Sequence, residues 1–353
     1  MRMGVRNKFK ITFGVFLLIS LTAIATWFIT GTSRTFSVEG ERGETDGFLN
    51  AVKTFASLPF IPEQDLMGEE NSRVNILLLG MSGPGYESPE LTDTIVVASL
   101  NTETKNIALI SIPRDLLIEL PESRLVSRIN TLYLVKKQDD ERINNKDFSS
   151  HTELVRTKTE EITGLAIPYV ILLNVSALEE MVNALEGINI FVERDIVDPT
   201  FPTPGYGSER FVLEKGWRFL DGATTQKYVR TRHDIRGDFG RMERQQQVIG
   251  AIINKARGLN LITDFPKILS LVSTLGNNLQ TNANTREIKR AWSLSKDIDI
   301  NQIKTLALDG GQSDSLLIDY HPQLGVSIAS TLVPKAGIFD YSQIQQAIQA
   351  ILN

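Results

Sequence analysis

The chain has no cysteine among its 353 residues, which excludes thiol catalysis, disulfide scaffolds and every thiolate metal site. It has three histidines, His151, His233 and His321, far apart in sequence, and that argues against a zinc hydrolase. It also lacks a basic excess. With a formal charge of −5 there is no global footprint for nucleic acid, so such a role would need a local patch. The missing disulfides are no handicap, because a chain of 353 residues at 42% hydrophobic buries a core unaided. Internal repeats and low-complexity tracts are absent too. The length leaves room for one large or two ordinary domains.

What charge there is lies unevenly. Of the net −5, the first ten residues contribute +4 through Arg2, Arg6, Lys8 and Lys10, so the remaining 343 carry −9. From Ile11 to Thr30 no residue is charged. Twenty residues at ~1.5 Å each span a hydrocarbon layer of ~30 Å. A basic flank before the run, with Glu39, Glu41 and Glu44 after it, follows the positive-inside rule. The expectation is a cytoplasmic tail (1–10), a transmembrane helix (11–30), an extracytoplasmic stalk (31–72) and one domain (73–353). The rival is a signal peptide cleaved after Ala23-Ile24-Ala25. Trp27-Phe28-Ile29 carry the apolar run past that point, as an uncleaved anchor would. Both readings put the bulk of the chain outside the cytoplasm, and the anchor reading holds it at the cell membrane.

Beyond the stalk, short apolar runs alternate with amphipathic ones. Val74–Leu79 is a buried-type strand stopped by Gly80, Gly83, Pro84 and Gly85. Thr94–Leu100 and Asn106–Ile112 pair as a hairpin around Asn101-Thr102-Glu103-Thr104. His151–Thr163 reads as a helix, Pro168–Asn174 as a strand, Ser176–Leu185 as a helix capped by Ser176, and Ile188–Val192 as a strand. Phe239–Ala256 is a helix with Asp238 as N-cap and Val248, Ile249, Ile252 and Ile253 as its apolar stripe. Helical patches at 265–275, 285–295 and 341–352 alternate with runs at Thr305–Leu308 and Ser315–Ile318. Strands interleaved with helices mean an α/β domain, a layered α-β-α arrangement around a central mixed sheet.

Three clusters carry chemistry. Leu91-Thr92-Asp93-Thr94 puts an acid at a strand entry beside the glycine loop, where it can bind Mg²⁺ or a phosphate-bound metal, or simply cap a turn. Ser111-Ile112-Pro113-Arg114-Asp115 puts an Arg-Asp pair where an apolar strand stops, at the strand end where open α/β sheets bind ligands; a local ion pair is the plain alternative. The densest cluster runs from Tyr228-Val229-Arg230-Thr231-Arg232-His233-Asp234 to Gly237-Asp238-Phe239-Gly240-Arg241-Met242-Glu243-Arg244-Gln245-Gln246. Arg230 and Arg232 share a face if the segment is extended. Arg241 and Gln245 share a helix face. Guanidinium forks bind phosphate oxygens bidentately, so several converging near a helix start suit a diphosphate rather than a merely solvated surface. His233 reads as a satisfied or exposed side chain. Asn174-Val175-Ser176 fits a glycosylation sequon at a strand-to-helix turn, a pattern common by chance.

On these residues the chain resembles the LytR-CpsA-Psr family of cell-envelope enzymes. Leu-Leu-Leu-Gly, Thr92-Asp93-Thr94, Ser111-Ile112-Pro113-Arg114-Asp115, Arg128-Ile129-Asn130, Leu220-Asp221-Gly222 and the Tyr-Val-Arg-x-Arg…Gly-Asp-Phe-Gly-Arg-x-x-Arg-Gln-Gln block occur in family order, with a core at 74–259. The resemblance implies a transferase moving a glycopolymer, such as teichoic acid or capsule, from a polyprenyl diphosphate carrier onto peptidoglycan. It implies diphosphate contacts from Arg114, Arg128, Arg230, Arg232, Arg241 and Gln245. Asp115 and Asp238 would orient the arginines, Asp93 would hold Mg²⁺ or Mn²⁺, and an apolar pocket would take the polyprenyl chain. One position departs: where the family has a second acid after Leu-Leu-Leu-Gly-x, this chain has Ser82, a weaker neutral ligand. Glu87 or Glu90 could substitute.

In the implied reaction a sugar hydroxyl of the acceptor attacks the sugar-linked phosphorus and polyprenyl phosphate leaves, with Asp115 or Asp238 taking the proton. Two alternatives stand beside it: a diphosphate-lipid binding module that lost turnover at Ser82, and a diphosphate-lipid phosphatase. Neither involves nucleic acid.

Overall fold

A computed structural model of the chain describes residues 62–120, 125–205, 207–233, 236–259, 278–298, 302–310, 315–321, 323–324, 327–328 and 330–353. All of these fall in one compact unit, Lys53–Asn353. The anchor expected at 11–30, the stalk before residue 62 and the helix at 265–275 lie outside the described residues. Among the described residues no helix is long and apolar enough to cross a membrane.

Three strands set the centre. They are β1 (Arg73–Met81), β2 (Thr92–Asn101) and β3 (Ile107–Ser111). β2 and β3 form the expected hairpin, with Val97 opposite Ile110. β1 lies antiparallel to β2 and parallel to β6 (Tyr169–Asn174). Outside β6 runs β11 (Leu279–Thr281), and outside β3 runs β12 (Lys304–Ala307), giving a mixed six-stranded sheet in the order β11-β6-β1-β2-β3-β12. Because β1, β3, β6 and β12 point one way, their carboxyl ends meet the start of β2 along a single edge. That edge carries the site.

Alternate residues of these strands are buried on opposite faces, as a sheet covered on both sides requires. One face presents Leu77, Leu79, Ile95, Val97, Ile110 and Leu172. It packs on α1 (Leu132–Arg142), α2 (Phe148–Thr163) and α7 (Ser342–Leu352), through residues such as Tyr133, Val155 and Ile344. The other face presents Val96 and Leu109 to Ile249 and Ile253 of α5 (Gly237–Arg257). Near Tyr169, α6 (Thr285–Ser295) contributes Leu294. The α-β-α layering read from the sequence is therefore the layering observed.

A second cluster has its own scaffold. β7 (Ile188–Val192) pairs with β10 (Gly216–Leu220), and β8 (Ile196–Thr203) with β9 (Gly207–Leu213), so the two pairs continue one another as an antiparallel ribbon. Its inner residues, among them Ile190, Phe201 and Phe211, pack on Tyr228 and Val229 of α4 (Gly222–Arg230), on α3 (Val175–Ala184) and on Val248 of α5. The apolar stripe of α5 is thus split, Val248 and Ile252 facing the ribbon and Ile249 and Ile253 the sheet. Smaller pairings complete the unit: β4 (Leu117–Glu119) with β5 (Val126–Arg128), β13 (Leu317–Tyr320) with β16 (Thr331–Pro334), and β14 (Gln323–Leu324) with β15 (Ser327–Ile328).

Three local expectations are corrected. α3 is capped by Asn174, whose side chain accepts from the Ala177 amide, not by Ser176. Asp238 is not the N-cap of α5. The helix begins at Gly237 after Arg236, which makes no side-chain cap, and Asp238 is its second residue. Arg230 is not in an extended segment with Arg232: it ends α4, and the chain turns extended only at Thr231.

Candidate active site

Each element delivers its residue to the same edge for a local reason. Between Gly80 and Met81 the β1–β2 register shifts: Gly80 faces Thr94, Met81 faces Thr92, and Asp93 is the extra residue. A bulge re-aims the side chain it carries. Arg114 and Asp115 follow the end of β3 at Ser111, beyond Pro113, which cannot donate to a continuing ladder. Arg128 ends β5. Arg230 and Arg232 flank the C-terminal end of α4, and Asp238 and Arg241 occupy the first turns of α5.

These side chains form one ion network. Arg114 donates from Nη1 to Asp93 Oδ1 at 2.8 Å, and its Nε lies 3.4 Å from Asp115 Oδ2 and 3.3 Å from Asp238 Oδ2. Asp115 reaches Arg128 Nη1 at 3.2 Å. Asp238 also takes Arg241 Nη2 at 2.8 Å and Arg232 Nε at 3.4 Å. Arg241 Nη2 further donates to the Asp93 carbonyl at 3.3 Å, binding α5 to the bulge. Arg230 stands beside this network, its guanidinium 4.2 Å from the centre of the Tyr86 ring and 5.1 Å from that of Phe201. Five guanidinium groups against three carboxylates leave two positive charges in excess, the charge of a diphosphate diester.

Burial makes that excess strained. Arg241 is 3% exposed, and desolvation pushes its pKa down to about 10 against the pull of Asp238. Burial likewise lowers Arg230. For Arg114 burial opposes the charge, but Asp93, Asp238 and Asp115 outweigh it and hold the group above the ordinary arginine value. The Nε of Arg114, the Nη1 of Arg230 and the Nε of Arg241 are buried with no hydrogen-bond partner among the described residues. Buried donors left unpaired are costly, and an entering anion would satisfy them.

A prediction follows for Arg241. Its lowered pKa means the folded state disfavours the proton, so the penalty is full at every pH below about 10 and is relieved only between there and the unfolded value. Arg241→Met should therefore raise the melting temperature of the ligand-free protein at pH 7 while removing the further rise caused by inorganic pyrophosphate. Calorimetric melts with and without pyrophosphate check both. A variant that melts lower and is still stabilised by pyrophosphate would contradict it.

Gln245 is brought to the back of the site rather than into it. It is 8% exposed, and its amide donates to the Val229 carbonyl at 3.4 Å. Ser82 follows β1 directly, next to the pairing of Met81 with Thr92. Of its possible substitutes, Glu90 is taken by Lys137 and Glu87 is exposed. Among the described residues no three His, Cys, Asp or Glu side chains gather as a metal site. The donor set at the edge is one carboxylate, Asp93, and one hydroxyl, Ser82. That falls short of a dedicated cage but fits Mg²⁺, which is commonly held by one or two carboxylates together with substrate phosphates.

Sequence reasoning missed several supporting residues. Tyr86, whose hydroxyl accepts from Gln226 Nε2 at 3.0 Å, sits in the glycine loop and offers its ring to Arg230. Arg244, 6% exposed, donates from Nε to the Tyr228 carbonyl at 2.9 Å and from Nη2 to the Thr231 carbonyl. Gln246 donates to Ser111 Oγ at 2.8 Å, fixing α5 against β3. Helical spacing gives a signal for both α5 residues: Arg244 is i+3 from buried Arg241 and Gln246 is i+4 from buried Met242.

This is a layered α/β unit whose strand edge gathers guanidinium groups around three carboxylates. The chain belongs to the LytR_cpsA_psr family, whose model matches residues 44–327. The polyisoprenyl-teichoic acid–peptidoglycan teichoic acid transferase TagU of Oceanobacillus iheyensis is 30% identical over 239 residues, 67% of this chain and 63% of that protein. This chain thus matches just under two thirds of that relative's length. The transferase of the same name from Enterococcus faecalis is 26% identical over 288 residues, 81% of this chain and 82% of the relative. The crystal structure of B. subtilis TagV shares the fold, with a TM-score of 0.58 at 21% identity over 80% of this chain and 97% of that one.

Proposed function

We propose that this chain is a transferase that moves a glycopolymer from a polyprenyl diphosphate carrier onto peptidoglycan. The observation that carries the reading is the arginine cluster: two net positive charges and three buried guanidinium nitrogens without a hydrogen bond, on a chain of this family and beside relatives named as teichoic acid transferases. The acceptor's hydroxyl oxygen forms a bond to the sugar-linked phosphorus, the bridging P–O bond breaks, and polyprenyl phosphate leaves, its new terminal oxygen taking up the hydroxyl proton. Arg114, Arg230, Arg232 and Arg241 neutralise the phosphate oxygens and align the diphosphate, with Arg128 at the rim; catalysis is positioning and electrostatics. Asp238 is engaged by three guanidinium groups and Asp115 by two, so both act as orienters. Asp93 with Ser82 would hold Mg²⁺ or Mn²⁺ when the phosphates complete its shell; the metal would supply Lewis-acid charge to the leaving group. Residues 11–30 would anchor the chain in the membrane with the domain outside.

The test is titration of the full chain in detergent with a short-chain polyprenyl diphosphate sugar, with and without Mg²⁺. Wild type should bind, and an Arg230→Ala/Arg232→Ala double variant should lose at least tenfold in affinity, a ~1.4 kcal/mol effect. Ser82→Asp should strengthen the Mg²⁺ dependence. Equal binding by the double variant would remove the diphosphate from this site. Transfer only in Ser82→Asp would make the native chain a binder, and phosphate release without acceptor would make it a phosphatase.

A further inference from the structure

We infer that the buried carboxylate of Asp198 is a positioning residue for the diphosphate arginines, acting through the hydroxyl of Thr231. The inference rests on the cluster being a diphosphate site. Asp198 lies on β8 and is 1% exposed, a depth at which a charge persists only if fully bonded. Its Oδ2 accepts from Thr231 Oγ1 at 2.7 Å. Its Oδ1 accepts from the Thr200 amide at 3.1 Å and lies 2.9 Å from Nδ1 of His233. None of these partners is in the ion network, yet they bracket it.

Thr231 is 1% exposed and stands between Arg230 and Arg232. Past the end of α4 the side chains take different partners, Thr231 and His233 reaching Asp198 while Arg232 between them reaches Asp238. From the other side, Arg244 holds the Thr231 carbonyl. With side chain and carbonyl both gripped, the residue joining the two arginines is held in one orientation. The same strand sets Arg230 directly, because Phe201, three residues beyond Asp198, lies under its guanidinium. β8 therefore acts as a jig for both groups, and a carboxylate outside the charged cluster determines where the cluster's donors point.

The test is geranyl diphosphate titrated by calorimetry into the full chain in detergent. Thr231→Val, which keeps shape and loses the hydroxyl, should weaken binding about tenfold, between no effect and the ~10²-fold that a 1 Å misplacement can produce. Thr231→Ser, which restores the hydroxyl, should stay within about twofold of the parent. Unchanged affinity in Thr231→Val, with or without a lower melting temperature, would overturn the inference, as would a loss in Thr231→Ser as large as in Thr231→Val. If Thr231→Val does not fold, the half-exposed His233 decides: His233→Ala should weaken binding, and parental affinity there overturns the inference. Arg230→Ala/Arg232→Ala separates the two levels. If that variant binds like the parent, the diphosphate reading has failed; if it loses binding while Thr231→Val keeps it, only the positioning role has.

Discussion

Arg114→Ala should lower the rate of glycopolymer transfer by roughly two to three powers of ten, the loss seen when one preorganised donor to a developing charge is removed. Arg114 is the hub of the site, the one guanidinium among the described residues that touches all three acids, Asp93, Asp115 and Asp238. Its removal takes away a phosphate fork and also leaves those carboxylates facing the substrate's own negative charge. Arg114→Lys should recover only part of the rate, because an ammonium returns the charge but cannot bridge three partners in one plane. Transfer of labelled polymer to purified peptidoglycan, read at saturating donor, checks both. A loss smaller than tenfold in the alanine variant would mean that Arg114 holds the acids in place and leaves the diphosphate to others.

Arg244→Met should destabilise the fold by about 2–5 kcal/mol, since the buried carbonyls of Tyr228 and Thr231 would each lose a charged donor. Methionine keeps the length and apolar stem, so packing changes little and the effect isolates the hydrogen bonds. The guanidinium also lies over the Tyr228 ring at 5.8 Å, a contact methionine can partly replace through sulfur. Urea unfolding followed by circular dichroism gives the number. A change below about 1 kcal/mol would show that water or backbone movement satisfies both carbonyls.

How far the chain could be read depended on how regular each segment was. β1, β2, β3 and β6 announce themselves as unbroken apolar runs closed by glycine, proline or asparagine, and α6 and α7 by apolar residues at helical spacing. The ribbon does not. β8 reads Ile-Val-Asp-Pro-Thr-Phe-Pro-Thr, whose prolines suggest a loop, and Pro199 falls inside the register shift between Asp198 and Phe201, where a strand tolerates it. β9 begins with four exposed residues and shows no alternation until Phe211. α4 carries two adjacent large apolar residues, Tyr228 and Val229, and no stripe, so its end at Arg230 was invisible and the arginines looked extended. The charged residues of the site were legible because arginine and aspartate are rarely so dense. The residues that aim them from outside a helix, Asp198 and Thr231, were not, because a buried partner in an irregular segment leaves no periodic trace in sequence.

The extra residue in β2 has a consequence for how such a chain can vary. In a regular ladder the direction of a side chain is tied to its count from the strand's core residues, and a slip of one position exchanges the two faces. At Asp93 that tie is cut: the residues from Thr94 onward keep their pairing with β1 while the acid is carried outside the count. The interior of the sheet can therefore drift in composition, trading one aliphatic residue for another, without rotating the acid away from Arg114. The irregularity in the strand insulates the chemistry from the packing beneath it.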